Sequence, residues 1–267
     1  MIYYANCKIN LGLSVTGPRP DGFHNIESLL YPVPWNDIVE VVPKKKFLFS
    51  TSGLKIDIED KENLCVKAYQ LIKNEYDIPP VHIHLHKIVP FGTGLGGGSS
   101  DAVAVVKLLN ELFSLEIDKA EMKTLVSRIG SDCTFFVENE PVMVKGRGEL
   151  MEKTDVDLSG YFLVIAIPGI HISTKEAYEN LDRYGRAGEV EKALKNDMRH
   201  WRNSLKNSFE AYAFSRYPEL KEVKETLYDW GALYASMTGS GSAVYGIFDK
   251  APAGDKMQNA EIKILKL

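Results

Sequence analysis

Residues 90–102 read PFGTGLGGGSSDA and place five glycines within seven residues. Glycine has no Cβ and adopts positive φ at little cost, so successive backbone N–H groups in such a run can converge on an oxyanion. Two known glycine patterns fit in part. Gly92, Gly94 and Gly97 satisfy the dinucleotide pattern G-x-G-x-x-G, whereas Gly98 stands where the phosphate loop G-x-x-x-x-G-K-[ST] has its lysine. The glycines indicate an anion site, and the flanking segments must identify the anion.

The flanking segments favour a phosphate group over a dinucleotide. Residues 81–89 (VHIHLHKIV) alternate apolar and polar side chains, whereas a strand that leads into a dinucleotide-binding turn is usually buried on both faces. After the glycines, Ser99, Ser100 and Asp101 can cap a helix whose apolar stripe runs over residues 102–113. The N–H groups and dipole of that helix would add to phosphate binding. A flexible surface linker fits poorly between this strand and this helix.

Two single ionisable residues could serve such a site. Residues 4–15 alternate as a half-buried strand, with Lys8 and Asn10 on its polar face. Asp132 follows a predicted helix over residues 119–129. Each has an ordinary alternative, since Lys8 could be a solvated surface lysine and Asp132 a turn or capping residue.

Three histidines, His82, His84 and His86, have the i, i+2 spacing with which a strand can present metal ligands. No second cluster of His, Cys or carboxylate side chains completes a site. We therefore predict a solvated strand face and no structural zinc.

Composition limits the classes of function. The chain has 267 residues, 45% hydrophobic and 25% charged, with a formal net charge of −4. This acidic balance argues against a dedicated nucleic-acid surface but leaves room for a local basic pocket. Three scattered cysteines are too few for a disulfide framework. With no apolar run near the roughly 20 residues that cross a bilayer, we expect a cytoplasmic protein with no membrane association.

Strands and helices are mixed without a regular β-α-β repeat, which predicts the α+β class with mostly antiparallel sheets. A charged, turn-like segment near residues 150–160 suggests a boundary between residues 1–155 and 156–267. Further strands are expected at residues 38–50, 54–58, 134–137, 141–145, 160–168 and around 236–248. Further helices are expected at residues 60–74, 174–183, 188–196, 203–213 and 218–229.

Six segments occur in an order that resembles the 4-diphosphocytidyl-2-C-methyl-D-erythritol kinases of the galactokinase, homoserine, mevalonate and phosphomevalonate kinase superfamily. They are CKINLGL, RPDGFHNIESL, PFGTGLGGGSSDA, GSDCTFF, GRGE and MTGSGSAVY, and they cover residues 8 to about 248. The resemblance implies a two-lobed kinase: an N-terminal lobe (1–155) with the catalytic residues and the phosphate loop, and a C-terminal lobe (156–267) that completes the substrate cleft. It also implies ATP and Mg²⁺, and a small-molecule substrate that carries a cytidine diphosphate. No obligate protein partner is inferred.

The same resemblance assigns residues to roles. Lys8 and Asp132 become the catalytic pair, and Asn63 and Lys87 fall at the adenine pocket. The acceptor would be contacted by Asn10 and Thr174, and the cytosine would be held by Phe23, His24 and Tyr178. The ATP phosphate loop would consist of Pro90, Phe91, Gly92, Thr93, Gly94, Leu95, Gly96, Gly97, Gly98, Ser99 and Ser100, with the Ser100 hydroxyl assisting Mg²⁺.

Some positions depart from the family pattern, among them Phe23 for a common tyrosine and Thr93 for an alanine or glycine. None removes a group that phosphoryl transfer requires. The expected reaction is ATP-dependent phosphorylation of the acceptor's 2-hydroxyl in non-mevalonate isoprenoid precursor synthesis. Three alternatives remain: another kinase of the superfamily, a non-catalytic nucleotide-binding regulator, and a dehydrogenase that uses G-x-G-x-x-G.

Overall fold

Ten β-strands and nine α-helices make up the chain, and the computed structural model describes residues 1–267. The strands are β1 (Ile2–Pro18), β2 (His24–Pro43), β3 (Leu48–Gly53), β4 (Val81–Lys87), β5 (Val142–Lys145), β6 (Leu150–Lys153), β7 (Phe162–Ile167), β8 (Tyr234–Met237), β9 (Val244–Phe248) and β10 (Glu261–Lys266). The helices are α1 (Leu64–Tyr76), α2 (Gly97–Phe113), α3 (Lys119–Val126), α4 (Cys133–Glu138), α5 (Thr174–Glu179), α6 (Glu189–Leu194), α7 (Trp201–Ser204), α8 (Glu210–Arg216) and α9 (Pro218–Asp229). None of these helices combines the length and apolar character needed to cross a membrane.

The chain folds into two compact units that interleave along the sequence. Unit 1 comprises Met1–Lys8, Pro34–Phe91 and Gly96–Glu140. Unit 2 comprises Ile9–Val33, Gly92–Leu95 and Pro141–Leu267. The predicted lobes, 1–155 and 156–267, are contiguous stretches, and that division stays a prediction.

Unit 1 is built on β4. This strand pairs antiparallel with the second half of β2, from Ile38 opposite His86 to Pro43 opposite Val81, and parallel with β3. One face of β4 is buried through Ile83 and Leu85. Helices α1 and α2 pack against each other and bury apolar side chains of their own.

The other face of β4 carries the three histidines, and two serines of β3 bridge them. The Ser50 hydroxyl lies 2.7 Å from His82 Nε2 and 2.8 Å from His84 Nδ1, and the Ser52 hydroxyl lies 2.9 Å from both His84 Nε2 and His86 Nδ1. Hydrogen bonds to serine therefore engage ring nitrogens of all three histidines. Nowhere in residues 1–267 do three or more His, Cys, Asp or Glu side chains form a group that could hold a metal ion.

Unit 2 contains a four-stranded antiparallel sheet in the order β10-β7-β9-β8. Helix α9 packs on β8 and β9 and buries Leu220, Val223 and Leu227. The first half of β2 pairs antiparallel with β5, which pairs antiparallel with β6. Mainly antiparallel pairing with segregated helices confirms the α+β prediction.

Five local predictions are wrong. The predicted strand 38–50 is interrupted between the end of β2 at Pro43 and the start of β3 at Leu48, and the predicted helix 203–213 is divided because residues 205–209 separate α7 from α8. Residues 134–137 form part of α4 and not a strand, because a short apolar run suits a buried helix as well as a strand. The predicted strand at residues 54–58 is absent, and β3 ends at Gly53. The predicted half-buried strand 4–15 lies within β1, where both faces are buried over most of that range.

Candidate active site

Lys8 lies on β1 with only 3% of its surface exposed. A buried ammonium is costly unless it is paired. Its Nζ lies 3.4 Å from Asp132 Oδ2. The structure therefore brings together the two predicted catalytic residues, and Lys8 is not a solvated surface lysine.

Asp132 occupies the N-cap position of α4, yet its side chain makes no capping hydrogen bond there. The side chain is 44% exposed. A capping aspartate normally accepts from a backbone N–H of the first turn. Because this carboxylate faces Lys8 instead, the simple capping interpretation loses its support.

The Lys8 side chain also runs along the glycine-rich segment. A Cβ on Gly96 would lie 3.0 Å from Lys8 Cε and 3.2 Å from Phe136 Cζ. Gly96 has φ +71°, a conformation that favours glycine. Lys8, Asp132 and the start of α2 thus form one cluster within unit 1, which we call the Lys8 cluster.

Helix α2 begins at Gly97, two residues earlier than the predicted serine caps. Its N-cap is Gly96, which offers no side-chain acceptor. Ser99 and Ser100 lie in the first turn, and Asp101 follows as the fifth residue of the helix. The first N–H groups of a helix have no partner within it. Together with the helix dipole, they form a site suited to an anion.

Residues 92–95, which come just before the N-cap of α2, belong to unit 2 and are positioned by contacts within it. Gly92 and Gly94 have φ +72° and +81°. A Cβ on Gly94 would overlap the carbonyl oxygen of Thr238, and the Thr238 hydroxyl donates to the Gly94 carbonyl oxygen at 3.3 Å. Leu95, in the same segment, is buried, whereas Phe91 of unit 1 is 53% exposed.

Asn10, a predicted acceptor contact, is buried in a polar network of unit 2. Its backbone N–H donates to Thr238 Oγ1 at 3.0 Å, and its Nδ2 donates to Ser28 Oγ at 2.8 Å. Thr174 is exposed, with its hydroxyl 3.2 Å from that of Ser240. Thr238 and Ser240 belong to the quoted segment MTGSGSAVY, although the sequence assigned no role to either residue.

The three residues predicted to hold cytosine lie in unit 2 and take part in two separate ring contacts. The rings of His24 and Tyr178 are stacked, with centroids 4.8 Å apart and 23° between their planes. Phe23 is 52% exposed and carries the Arg147 guanidinium 3.8 Å from its ring centroid. His24, and not Phe23, therefore stacks on Tyr178 in this structure.

The predicted adenine-pocket residues lie in unit 1. Asn63 is the N-cap of α1, and its Oδ1 accepts from Cys65 N at 2.9 Å. Lys87 is 2% exposed, with its Nζ 2.5 Å from Asp37 Oδ2 and 2.7 Å from Asp101 Oδ2. Burial raises the pKa of Asp101 to about 7, against the opposing effect of the Lys87 charge. Neither Asp37 nor Asp101 had been singled out as a site residue from the sequence.

Comparison with known families gives two matches. Residues 63–139 match the family described as GHMP kinases N terminal domain, and residues 177–260 match GHMP kinases C terminal. Among curated relatives, a 4-diphosphocytidyl-2-C-methyl-D-erythritol kinase of Cytophaga hutchinsonii is 47% identical over 94% of this chain and 94% of its own length. The kinase of that name from Bacteroides fragilis is 41% identical over 96% of this chain and 95% of its own.

Solved structures agree with these matches. A crystal structure of 4-(cytidine 5'-diphospho)-2C-methyl-D-erythritol kinase is similar with a TM-score of 0.80 and 32% identity, covering 92% of this chain and 90% of that one. The mevalonate kinase of Methanococcus jannaschii gives a TM-score of 0.69 at 13% identity, over 93% and 90% of the two chains. At 13% identity, the similarity to mevalonate kinase shows only a shared fold.

Proposed function

The chain belongs to the family of the 4-diphosphocytidyl-2-C-methyl-D-erythritol kinases within the GHMP kinases, and on that premise we propose that Lys8 and Asp132 are its catalytic pair. It is an ATP-dependent phosphotransferase of non-mevalonate isoprenoid biosynthesis. The acceptor is 4-(cytidine 5'-diphospho)-2-C-methyl-D-erythritol, which is phosphorylated on its 2-hydroxyl. The single observation that supports the catalytic assignment is the 3.4 Å ion pair of Lys8 and Asp132 beside the start of α2.

Phosphoryl transfer needs little covalent help from the protein and depends mainly on in-line positioning and charge stabilisation. In the proposed mechanism, the Asp132 carboxylate accepts or orients the proton of the acceptor hydroxyl. Lys8 holds that carboxylate and polarises the attacking oxygen. A weak base suffices where the transition state is dissociative.

For the donor, we assign the β- and γ-phosphates of ATP to the segment from Gly94 to Ser100. The uncapped N–H groups at the start of α2 are the principal donors. The Ser100 hydroxyl would be the protein ligand of Mg²⁺, which would supply neutralisation of the phosphate charge.

Replacing Tyr178 tests the proposed cytosine pocket. Stacking on an aromatic ring is worth about 1–3 kcal/mol per base. We expect Tyr178→Ala to raise the KM for the cytidine substrate at least several-fold and to leave the KM for ATP nearly unchanged. Steady-state kinetics with each substrate varied in turn would measure both values.

Tyr184→Ala is a matched control, because Tyr184 is an exposed aromatic residue whose ring centroid lies 6.0 Å from that of His24. It should raise the KM for the cytidine substrate less than Tyr178→Ala does. An equal rise in both KM values for Tyr178→Ala would contradict the pocket assignment.

Acceptor choice tests the function itself. The purified protein is incubated with ATP, Mg²⁺ and one of three acceptors: the cytidine substrate, mevalonate or homoserine. We expect ADP release with the cytidine substrate alone. Release with mevalonate or homoserine at a comparable rate would instead identify another kinase of the superfamily.

A further inference from the structure

Asp37, Lys87 and Asp101 form a buried ionic group in unit 1, which we call the loop clamp. Their exposed surface fractions are 0%, 2% and 2%. Two carboxylates share one ammonium, and Asp101 Oδ1 is buried with no hydrogen-bond partner. Buried ion groups are weak contributors to stability compared with apolar packing. Stability alone therefore explains this arrangement poorly.

The loop clamp holds both ends of the glycine-rich segment. On the incoming side, Asp37 Oδ1 accepts from the backbone N–H groups of Ile88 and Val89 at 2.6 and 2.8 Å. On the outgoing side, Lys87 Nζ donates to Oδ2 of Asp101, the fifth residue of α2. Residues 90–100 lie between these two attachment points. The charged side chains of the loop clamp thus fix both ends of this segment.

Gly97 shows how closely the clamp approaches this segment. A Cβ at this position would lie 3.0 Å from Lys87 Nζ and 3.3 Å from Asp37 Oδ2. Gly97 is helical and has no positive φ, so its requirement for glycine is one of space. Lys87 Nζ consequently lies directly behind the first residue of α2.

We propose that Asp37, Lys87 and Asp101 are positioning residues for ATP, which act by setting where α2 begins. The proposal rests on the assignment of ATP phosphates to that helix start. It also gives Lys87 a role different from the adenine contact implied by family resemblance, since its ammonium is engaged by two carboxylates. The clamp acts on the nucleotide through the backbone of Gly97 and the first turn of α2.

The test is Asp101→Asn, assayed above the pKa of about 7 so that the wild-type carboxyl is ionised. The variant keeps an oxygen acceptor for Lys87 and removes one charge. Weaker attachment of α2 should raise the KM for ATP at least about fivefold while the KM for the cytidine substrate stays within about twofold. Simple loss of a negative charge near a polyanion would act in the opposite direction and lower the KM for ATP. The sign of the change therefore separates positioning from net charge.

Asn110→Ala is a matched control on the same helix. Asn110 Nδ2 donates to the Ile117 carbonyl oxygen at 3.0 Å, and its Oδ1 accepts from the Ile117 N–H at 3.0 Å, near the C-terminal end of α2. This variant should reduce the melting temperature without changing the KM for ATP. An unchanged or lowered KM for ATP in Asp101→Asn would overturn the proposal, as would an equal rise in Asn110→Ala.

If Asp101→Asn fails to fold, a variant with an uncharged loop clamp tests the proposal instead. This variant combines Asp37→Asn, Lys87→Met and Asp101→Asn, and it therefore leaves no unpaired buried charge at the loop clamp. We expect this triple variant to fold and to raise the KM for ATP about tenfold or more. A wild-type KM for ATP in the triple variant would refute the positioning role of the loop clamp. It would leave the kinase assignment intact, because that assignment is tested by the activity of the unaltered protein.

Discussion

Asp132→Asn is expected to lower kcat by at least about a hundredfold. Asparagine is nearly isosteric and can still accept a hydrogen bond, so the fold and the placement of the acceptor should persist. It cannot take a proton, and it no longer balances the charge of Lys8. General-base contributions are typically about 10²–10⁴-fold, which corresponds to roughly 3–5 kcal/mol in the barrier.

Single-turnover rates and substrate Kd values would measure this effect separately for chemistry and for binding. The Kd values should change far less than the rate. Lys8→Met should be similarly damaging, and the double variant should lose much less than the product of the two effects, because the two groups act as a unit.

The matched control is Asp118→Asn. Asp118 caps α3, since its Oδ1 accepts from Glu121 N at 2.8 Å. This variant keeps a capping acceptor and should leave kcat unchanged. Near-normal turnover in Asp132→Asn would show that Asp132 is only a turn residue, although the family assignment would survive.

Gly97→Val should have the second largest effect, on ATP binding. A glycine-rich sequence suggests that valine would strain the backbone. This does not apply to Gly97, because it is helical and has no positive φ. A branched side chain would instead press on Lys87 Nζ and on Val89 Cγ1, 3.0 and 3.4 Å from the position of the added Cβ. Overpacking of this kind costs about 1–3 kcal/mol. We expect the Kd for ATP, measured by calorimetry, to rise about tenfold or more.

Gly98→Ala offers a comparison at the neighbouring position. Its Cβ would have no neighbour closer than 3.8 Å, and alanine favours a helix more than glycine does, so the melting temperature should be unchanged or raised. Gly97→Val should remain folded as judged by circular dichroism. A folded Gly97→Val protein with wild-type ATP affinity would remove the helix start from the nucleotide site.

Local sequence patterns predicted a good part of this structure. The helix over residues 218–229 is observed with those bounds, beginning at a proline that suits the first helical position. The glycine run and the two ionisable residues Lys8 and Asp132 were visible because each differs from its immediate surroundings. Their proximity came from family resemblance and not from spacing, since they are far apart in the chain.

Residues whose partners are distant in sequence could not be predicted. Asp37 pairs with Lys87, 50 positions away, and nothing in PWNDIVE marks it as charged and buried. The alternation predicted a half-buried β1, but Lys8 and Asn10 on its polar face are buried because other elements cover that face as well. Alternation along one strand shows which of its faces is more polar, but it does not identify the residues of other elements that pack on that face.

Product formation tests the central claim most directly. The purified protein is incubated with Mg²⁺, ATP and 4-(cytidine 5'-diphospho)-2-C-methyl-D-erythritol, and ³¹P NMR follows ADP and any new phosphomonoester. We predict one phosphomonoester on the 2-hydroxyl for each ADP released, and at most about one hundredth of that amount with Asp132→Asn over the same time. Absence of that phosphomonoester, or ADP release that does not depend on the cytidine substrate, would contradict the account.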